Sequence, residues 1–402
     1  MSAAIVSTVV AAFGVAGASS MVVNRVLHRD KPAPPAAQST RPQPTLSPSL
    51  APTPTVRPTA VVTAPPRVRP DDGTDVQDLT WISTETGWAL GSVLDCAHVG
   101  GDKPVPSCYT ILHTVDGGQT WDKIATLPEP SDGQGGANAL RFASKTVGYV
   151  ILSGHLSMTT DGGRTWRPST LKSVRQVEAA RGGAVVVTGE GLCGPCRVLR
   201  APLGSLAWTK TLDIPYDAVG LRRSGNSVLV GQFQNPVGGA DDKSATVYRS
   251  TDGGATWVKG SDPCASVHIN GEHVPFATDF QVSGQVELAV CQDYTFDMTT
   301  HTFLITSTDG GRSFGDWHDQ PCDYGRFALA SAKVMLCPSQ DGIHVSQDGG
   351  ATWSLRLPSG ARAAADGCGF QTETVGRCVR GVTVYTTRDS GRTWKARDVS
   401  AS

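Results

Sequence analysis

Charge is scarce in this chain and almost perfectly balanced. Lys plus Arg number 35 against 36 Asp plus Glu, only 18% of 402 residues, with a net charge of −1 and a pI near 6.7. That balance removes the electrostatic case for nucleic acid binding. Helical signal is missing as well: no segment of residues 71–402 shows a capped apolar period of 3.6. Glycine-rich stretches such as Gly133-Gln-Gly-Gly136 lack the lysine of a phosphate loop. His268-Ile-Asn-Gly-Glu-His273 has two histidines and a glutamate but not the zinc-protease spacing, and no helix is expected there. Charged side chains are absent altogether from residues 1–24.

The uncharged start and the proline-rich stretch after it divide the chain. Ala3 to Val23 is an apolar stretch of 21 residues, long enough to span a bilayer. A cleaved signal peptide is the alternative, with Ala16-Gly-Ala18 as its cleavage site. No basic residue precedes the stretch, while Arg25, Arg29 and Lys31 come after it. Taken literally, the positive-inside rule places the rest of the chain in the cytoplasm; a start codon further upstream, supplying a basic n-region, would remove that conflict. No cysteine lies nearby to carry a lipid. Residues 31–70 hold 12 prolines, four arginines, one lysine and no acid, the composition of a linker. In polyproline form it would reach about 120 Å at ~3.1 Å per residue. The expected division is therefore 1–30 signal or anchor, 31–70 linker and 71–402 a folded domain.

Inside that domain one short pattern recurs six times. It reads Thr114-Val-Asp-Gly-Gly-Gln-Thr-Trp121, Thr159-Thr-Asp-Gly-Gly-Arg-Thr-Trp166 and Ser250-Thr-Asp-Gly-Gly-Ala-Thr-Trp257. It returns as Ser307-Thr-Asp-Gly-Gly-Arg-Ser-Phe314, Ser346-Gln-Asp-Gly-Gly-Ala-Thr-Trp353 and Thr387-Arg-Asp-Ser-Gly-Arg-Thr-Trp394. The aspartates Asp116, Asp161, Asp252, Asp309, Asp348 and Asp389 are 45, 91, 57, 39 and 41 residues apart. The 91-residue gap holds a decayed copy ending at Trp208, with Leu203 in the aspartate's place. Seven units result. A short apolar run precedes each box: Gly87–Gly91, Val147–Leu152, Ala184–Val187, Ser227–Val230, Val286–Val290, Val334–Leu336 and Val375–Cys378. These read as buried strands. Seven units of about four short strands predict an all-β, seven-bladed β-propeller.

The boxes themselves read as turns. Glycines supply positive φ, the aspartate accepts hydrogen bonds from turn amides, and the terminal aromatic (Trp121, Trp166, Trp257, Phe314, Trp353, Trp394) is an apolar plug between blades.

Ser/Thr-x-Asp-x-Gly-x-Thr-Trp resembles the Asp-box, or bacterial neuraminidase repeat. That repeat occurs in sialidases, sortilin-type receptors, xyloglucan-active glycosidases and photosystem II assembly-factor propellers. Thr86-Gly-Trp-Ala-Leu90 followed by a box is most similar in style to the last group. The resemblance covers roughly residues 71–402. It implies that each box joins the third and fourth strands of a blade, away from a ligand face, so the six aspartates are structural. Fold does not carry function, and the family contains enzymes and pure binders. A sialidase needs an Arg-Ile-Pro motif before its first box; none is present, and Leu140-Arg-Phe142 is no substitute.

Ten cysteines point to an oxidising compartment. Cys291, Cys337 and Cys378 end the second strand of units five to seven, and Cys264, Cys322 and Cys368 lie near the first strand of the same units. The register therefore pairs Cys264–Cys291, Cys322–Cys337 and Cys368–Cys378, leaving Cys96–Cys108 and Cys193–Cys196 to bracket loops in units one and three. Cys193-Gly-Pro-Cys196 matches the thioredoxin tetrapeptide, but flanking strands make it a hairpin tip, which favours a structural disulfide over a redox pair or a zinc site.

Long insertions at 92–108, 231–246, 259–275, 291–302 and 316–325 fall on the face opposite the boxes, as do all five disulfides. Binding residues favour such loops. The candidates are Asp241, Asp242, His268, Asn270, Glu272, His273, Asp293, Tyr294, Trp317, His318 and Tyr324. No carboxylate spacing singles out a catalytic pair. The expectation is a non-catalytic propeller outside the cytoplasm, tethered through its N-terminal segment, that binds a protein or glycan of the cell envelope. The alternative is a glycoside hydrolase with a carboxylate pair on the loop face. A monomer is expected, with no metal, no cofactor and no nucleic acid partner.

Overall fold

Seven four-stranded antiparallel sheets succeed one another along the chain of this computed structural model. The structure describes residues 75–93, 108–130, 138–189, 194–215, 217–233, 246–260, 262–269, 272–273, 276–294, 300–322, 327–339, 341–358 and 367–399. The apolar segment, the proline-rich linker, Cys96, Cys193, Asp241, Asp242, Asn270 and Tyr324 lie outside them.

Blade 1 contains β1 (Asp75–Trp81), β2 (Gly87–Val93), β3 (Cys108–Thr114) and β4 (Asp122–Pro128). Blade 2 contains β5 (Ala139–Phe142), β6 (Gly148–Leu152), β7 (His155–Thr159) and β8 (Arg167–Pro168). Blade 3 contains β9 (Val174–Ala180), β10 (Gly183–Gly189), β11 (Cys196–Ala201) and β12 (Thr209–Ile214). Blade 4 contains β13 (Asp217–Ser224), β14 (Ser227–Phe233), β15 (Thr246–Ser250) and β16 (Val258–Gly260). A 3-10 turn (Pro263–Ser266) and a small hairpin, β17 (His268–Ile269) with β18 (Glu272–His273), precede blade 5. Blade 5 contains β19 (Phe276–Ser283), β20 (Val286–Tyr294), β21 (Thr300–Ser307) and β22 (Trp317–Asp319). Blade 6 contains β23 (Ala328–Leu329), β24 (Met335–Ser339), β25 (Gly342–Ser346) and β26 (Ser354–Pro358). Blade 7 contains β27 (Gly367–Phe370), β28 (Gly376–Arg380), β29 (Thr383–Thr387) and β30 (Lys395–Asp398). The chain has the fold of a seven-bladed β-propeller.

A strand's place in its blade sets its composition. Second strands are covered on both faces by neighbouring blades, so they read as continuous apolar runs, and Ala184, Val185, Val186 and Val187 are all fully buried. Fourth strands form the outer edge and are largely exposed, as Asp122 and Lys123 show. Seven apolar clusters each join two adjacent blades. One packs Trp88, Leu90 and Ile111 of blade 1 against Leu140, Phe142 and Val150 of blade 2. The last packs Val379 and Val384 of blade 7 against Val76, Ala89 and Leu112 of blade 1. The ring thus closes by packing, reinforced by a hydrogen bond from Val76 N–H to the Gly381 carbonyl (3.2 Å), while blade 7 takes all four strands from the C-terminal end.

The first strands of blades 1 to 5 neighbour one another in turn and carry charge of alternating sign. Arg141 bridges Asp78 (2.6 Å) and Glu178 (3.1 Å), linking blades 1, 2 and 3. Burial opposes the Arg141 charge, but Asp78 and Glu178 outweigh it and raise the guanidinium above its ordinary value. Arg222 of blade 4 then pairs with Asp279 of blade 5 at 2.7 Å.

The glycines opening several second strands have a steric reason. The Phe142 ring lies against Gly148, where a Cβ would come within 2.7 Å, and Phe370 lies against Gly376 in the same way. Trp81 covers Gly87 alike. The aromatic end of the first strand folds back onto the start of the second.

Candidate functional site

The six boxes are closed turns. In the first, the Asp116 carboxylate accepts from Gln119 N–H (2.8 Å), Thr120 N–H (3.0 Å), the Thr120 hydroxyl (2.7 Å) and the Thr114 hydroxyl (2.8 Å). Thr114 Oγ1 accepts in turn from Gly118 N–H at 3.0 Å. Desolvation pushes the Asp116 carboxyl up, but the hydrogen bonds from Thr120, Thr114 and Gln119 prevail and hold it down at about 2. The carboxyls of Asp161, Asp252, Asp309 and Asp348 are lowered too, led by the hydroxyl donors Thr165, Thr256, Ser313 and Thr352. At Asp389 burial again opposes, and the Thr393 and Thr387 donors prevail. These oxygens are committed to local donors, which leaves little basicity for proton transfer.

Each box is also a landing place for the neighbouring blade. Trp88 Nε1 donates to the Gly162 carbonyl (3.0 Å), Arg200 Nε to Gly253 (3.2 Å) and Gln347 Nε2 to Ser390 (2.6 Å). The box rings Trp121, Trp166, Trp257, Phe314, Trp353 and Trp394 all join the cluster shared with the preceding blade. Trp208 occupies the equivalent place in blade 3, although its turn lacks the aspartate. There Leu203 packs into the cluster instead, and Gly204 N–H donates to the Tyr149 hydroxyl at 3.2 Å.

Disulfides join Cys264–Cys291, Cys322–Cys337 and Cys368–Cys378, with Cα separations of 5.8, 6.1 and 4.1 Å. They suit an oxidising compartment. Their geometry differs from simple hairpin pairing. Only Cys368 and Cys378 face each other across a hairpin, β27 against β28. Cys264 sits in the 3-10 turn well before β19, and Cys322 precedes β23, so these two bonds tie connecting segments to second strands. Cys108 is disulfide-bonded; its expected partner Cys96 lies outside the described residues. Cys196 is buried at the start of β11, and the β10–β11 hairpin is a strand-to-strand setting, unlike the strand-to-helix turn of a thioredoxin site. Cys193 is not among the described residues.

The expected residues that are described lie on the β17–β18 hairpin, at the end of β20 and on β22. His268 pairs with His273 and Ile269 with Glu272 in the β17–β18 hairpin, close to the Cys264 turn in sequence. Asp293 and Tyr294 end β20, opposite His301 and Thr300. Trp317 and His318 are strand residues of β22, not loop residues, because they pair with Ile305 and Leu304. Trp317 is 39% exposed and meets Phe303 edge-on at 5.0 Å. His318 lies beside Gly350 of the next blade's box. Arg141, the nearest approach to a sialidase arginine, is occupied by its two carboxylates.

Sequence reasoning missed a cleft on the box side, between blade 7 and blade 1. It measures about 200 Å³ and is lined by Arg388, Lys395, Arg397 and Thr386 on one side and Gly118 and Gln119 on the other. Two of its cations are on an outer edge strand, where a lysine or arginine ordinarily reads as solvation, so no sequence signal marked them.

No protein-family model matches the chain, and no curated protein matches it. Among solved structures, an ancestral GH74 enzyme is similar at a TM-score of 0.54 and 14% identity, over 82% of this chain and 47% of that one. The acylaminoacyl peptidase of Pyrococcus horikoshii is similar at 0.51 and 9%, over 82% and 52%. A GH74 enzyme of Niastella koreensis aligns at 0.39 and 13%, over 80% of this chain and 65% of that chain. The chain thus spans about half the length of the first two and less than two thirds of the third. At these identities the likeness is one of fold alone.

Proposed function

We propose that this chain is an extracytoplasmic propeller, held at a membrane by its N-terminal segment and spaced from it by the proline-rich linker. It binds a protein or glycan of the cell envelope without catalysis. The observation that carries this reading is the distribution of disulfides. Two of them tie the connecting segments before blades 5 and 6 to the second strands of those blades, and a third links two neighbouring strands of blade 7, and bracing of that kind pre-organises a binding surface at reduced entropic cost. The commitment of the box carboxylates to their own turns fits the same reading.

The test uses the full-length, oxidised protein. It is applied to an array of cell-envelope glycans and, in parallel, crosslinked in the native envelope. Saturable capture without turnover, lost on reduction of the disulfides, is the expected outcome. Turnover of a glycan that disappears when one loop-face carboxylate becomes an amide overturns the reading in favour of a glycoside hydrolase.

A further inference from the structure

We propose that the cleft between blades 7 and 1 binds a linear polyanion of the cell envelope, gripped by Arg388, Lys395 and Arg397. This deepens the binding reading above and rests on it.

The three cations form a row. Lys395 and Arg397 are alternate residues of β30, opposite Thr386 and Val384 of β29. Alternate strand residues point the same way, about 7 Å apart. Ala396 between them is buried, so both charges stand on the exposed side. Arg388 follows the end of β29 and continues the row into the box of blade 7, of which it is the second residue. All three are exposed and line one concave surface. Guanidinium groups present forked donors matched to phosphate and carboxylate oxygens.

The surrounding carboxylates are already engaged. Asp116 and Asp389 are held within their own turns. Asp398 accepts from the Thr383 hydroxyl at 2.6 Å. Glu85 approaches Arg388 only to 3.9 Å, with both side chains more than half exposed; such a pair contributes little. Buried Arg377 registers the excess: besides burial, the Arg388 charge pushes its guanidinium below the ordinary value, and only Glu85 opposes. A row of charges at strand spacing suits a polymer with a repeating anion better than a single small ligand. The wall opposite is box backbone and Gln119; the carboxylate beside it, Glu85, is exposed and stands 3.9 Å from Arg388.

The experiment measures binding of the full-length, oxidised protein to polyphosphate, to polygalacturonate and to neutral dextran, across a salt series. Two triple variants are compared. One is Arg388→Gln/Lys395→Gln/Arg397→Gln. The other removes the same charge elsewhere, Arg167→Gln/Lys172→Gln/Lys259→Gln, all exposed. The wild type should bind at least one polyanion and not dextran. The cleft triple should weaken binding by about tenfold or more and flatten the salt dependence, since counterion release scales with the cations engaged. The control triple should do neither, and both variants should melt like the wild type. Preference for polyphosphate or for polygalacturonate identifies the anion as phosphate or carboxylate. Equal losses in the two triples, or no binding of either polyanion at low salt, overturn the inference. Capture of a neutral glycan or a protein in the broader test, with neither polyanion bound, would sink this inference and leave the binding function standing.

Discussion

The Arg377 guanidinium lies over the Trp81 ring, 3.5 Å from its centroid. It thereby joins the last blade to the first. The same arginine donates from Nη2 to the Thr84 carbonyl at 2.7 Å. Trp88 holds the matching position in blade 1 and stacks on Phe142 of blade 2, with centroids 3.8 Å apart and planes 4° apart. One repeat position therefore performs the same docking at two seams, once with an indole and once with a guanidinium. At the closing seam the pairing is cation–π, and it is buried, where such contacts are strongest.

Arg377→Ala removes that contact and leaves a cavity against Trp81. The expected loss is about 2–4 kcal/mol, combining the cation–π contact with a buried charge-assisted hydrogen bond. Arg377→Met keeps the volume and should recover part of it. Urea unfolding of both variants checks the order; equal stability of Arg377→Ala and the wild type would refute the latch.

Acid should loosen the boxes in a narrow window. A carboxyl whose folded value is depressed contributes stability that is present above its unfolded value, about 4, and lost as pH falls through its folded value. For Asp116 that folded value is about 2. Stability should therefore be insensitive to Asp116 above about pH 4 and lose its contribution between about pH 4 and 2. Asp116→Asn should reduce the proton uptake on unfolding across that window by one group. Stability measured against pH for wild type and variant provides the comparison.

Reduction should cost most at the longest loop. Cys264–Cys291, Cys322–Cys337 and Cys368–Cys378 close 27, 15 and 10 residues. Chain entropy assigns them about 3.5, 3.0 and 2.7 kcal/mol, in that descending order. Paired Cys→Ser variants, melted one pair at a time, should reproduce the ranking, and full reduction should lower the melting temperature more than any single pair.

Restoring an aspartate to the decayed box should not repair it. Leu203 packs into the cluster shared by blades 2 and 3, and Ala201 is fully buried where the other boxes place a Ser or Thr hydroxyl. Leu203→Asp therefore exchanges apolar burial for a carboxylate lacking its usual partner. The expected cost is about 1–3 kcal/mol. A stabilised Leu203→Asp protein would show that the turn can rebuild itself around the new side chain.

Gly148→Ala should be costly for a different reason. The position has room for neither a methyl group nor a rotated Phe142, whose ring also stacks on Trp88. Overpacking of this kind costs about 1–3 kcal/mol. Pairing Gly148→Ala with Phe142→Leu should relieve part of the penalty, and a double-mutant cycle measures how much.

How far the sequence reached depends on the range of the forces involved. Blade number, the second strand of each blade and the turn chemistry of the boxes depend on neighbours within about ten residues, so they recur visibly with each unit, and even Trp208 betrays its decayed copy. The Cys368–Cys378 bond belongs to the same class, being one hairpin wide. The bridge from Arg141 to Asp78 and Glu178 does not: its partners are 63 and 37 residues away, and no local pattern selects that arginine from the others. Nor does local pattern show that Cys264 reaches Cys291 from a separate turn, that Trp317 belongs to an edge strand, or that Arg388, Lys395 and Arg397 share a cleft with blade 1. Sequence alone determined the repeat because each blade solves the same short-range problem of turn and burial. The closing latch, the charge ladder and the cleft were decided only by tertiary structure, because closing the ring sets residues about 300 positions apart side by side.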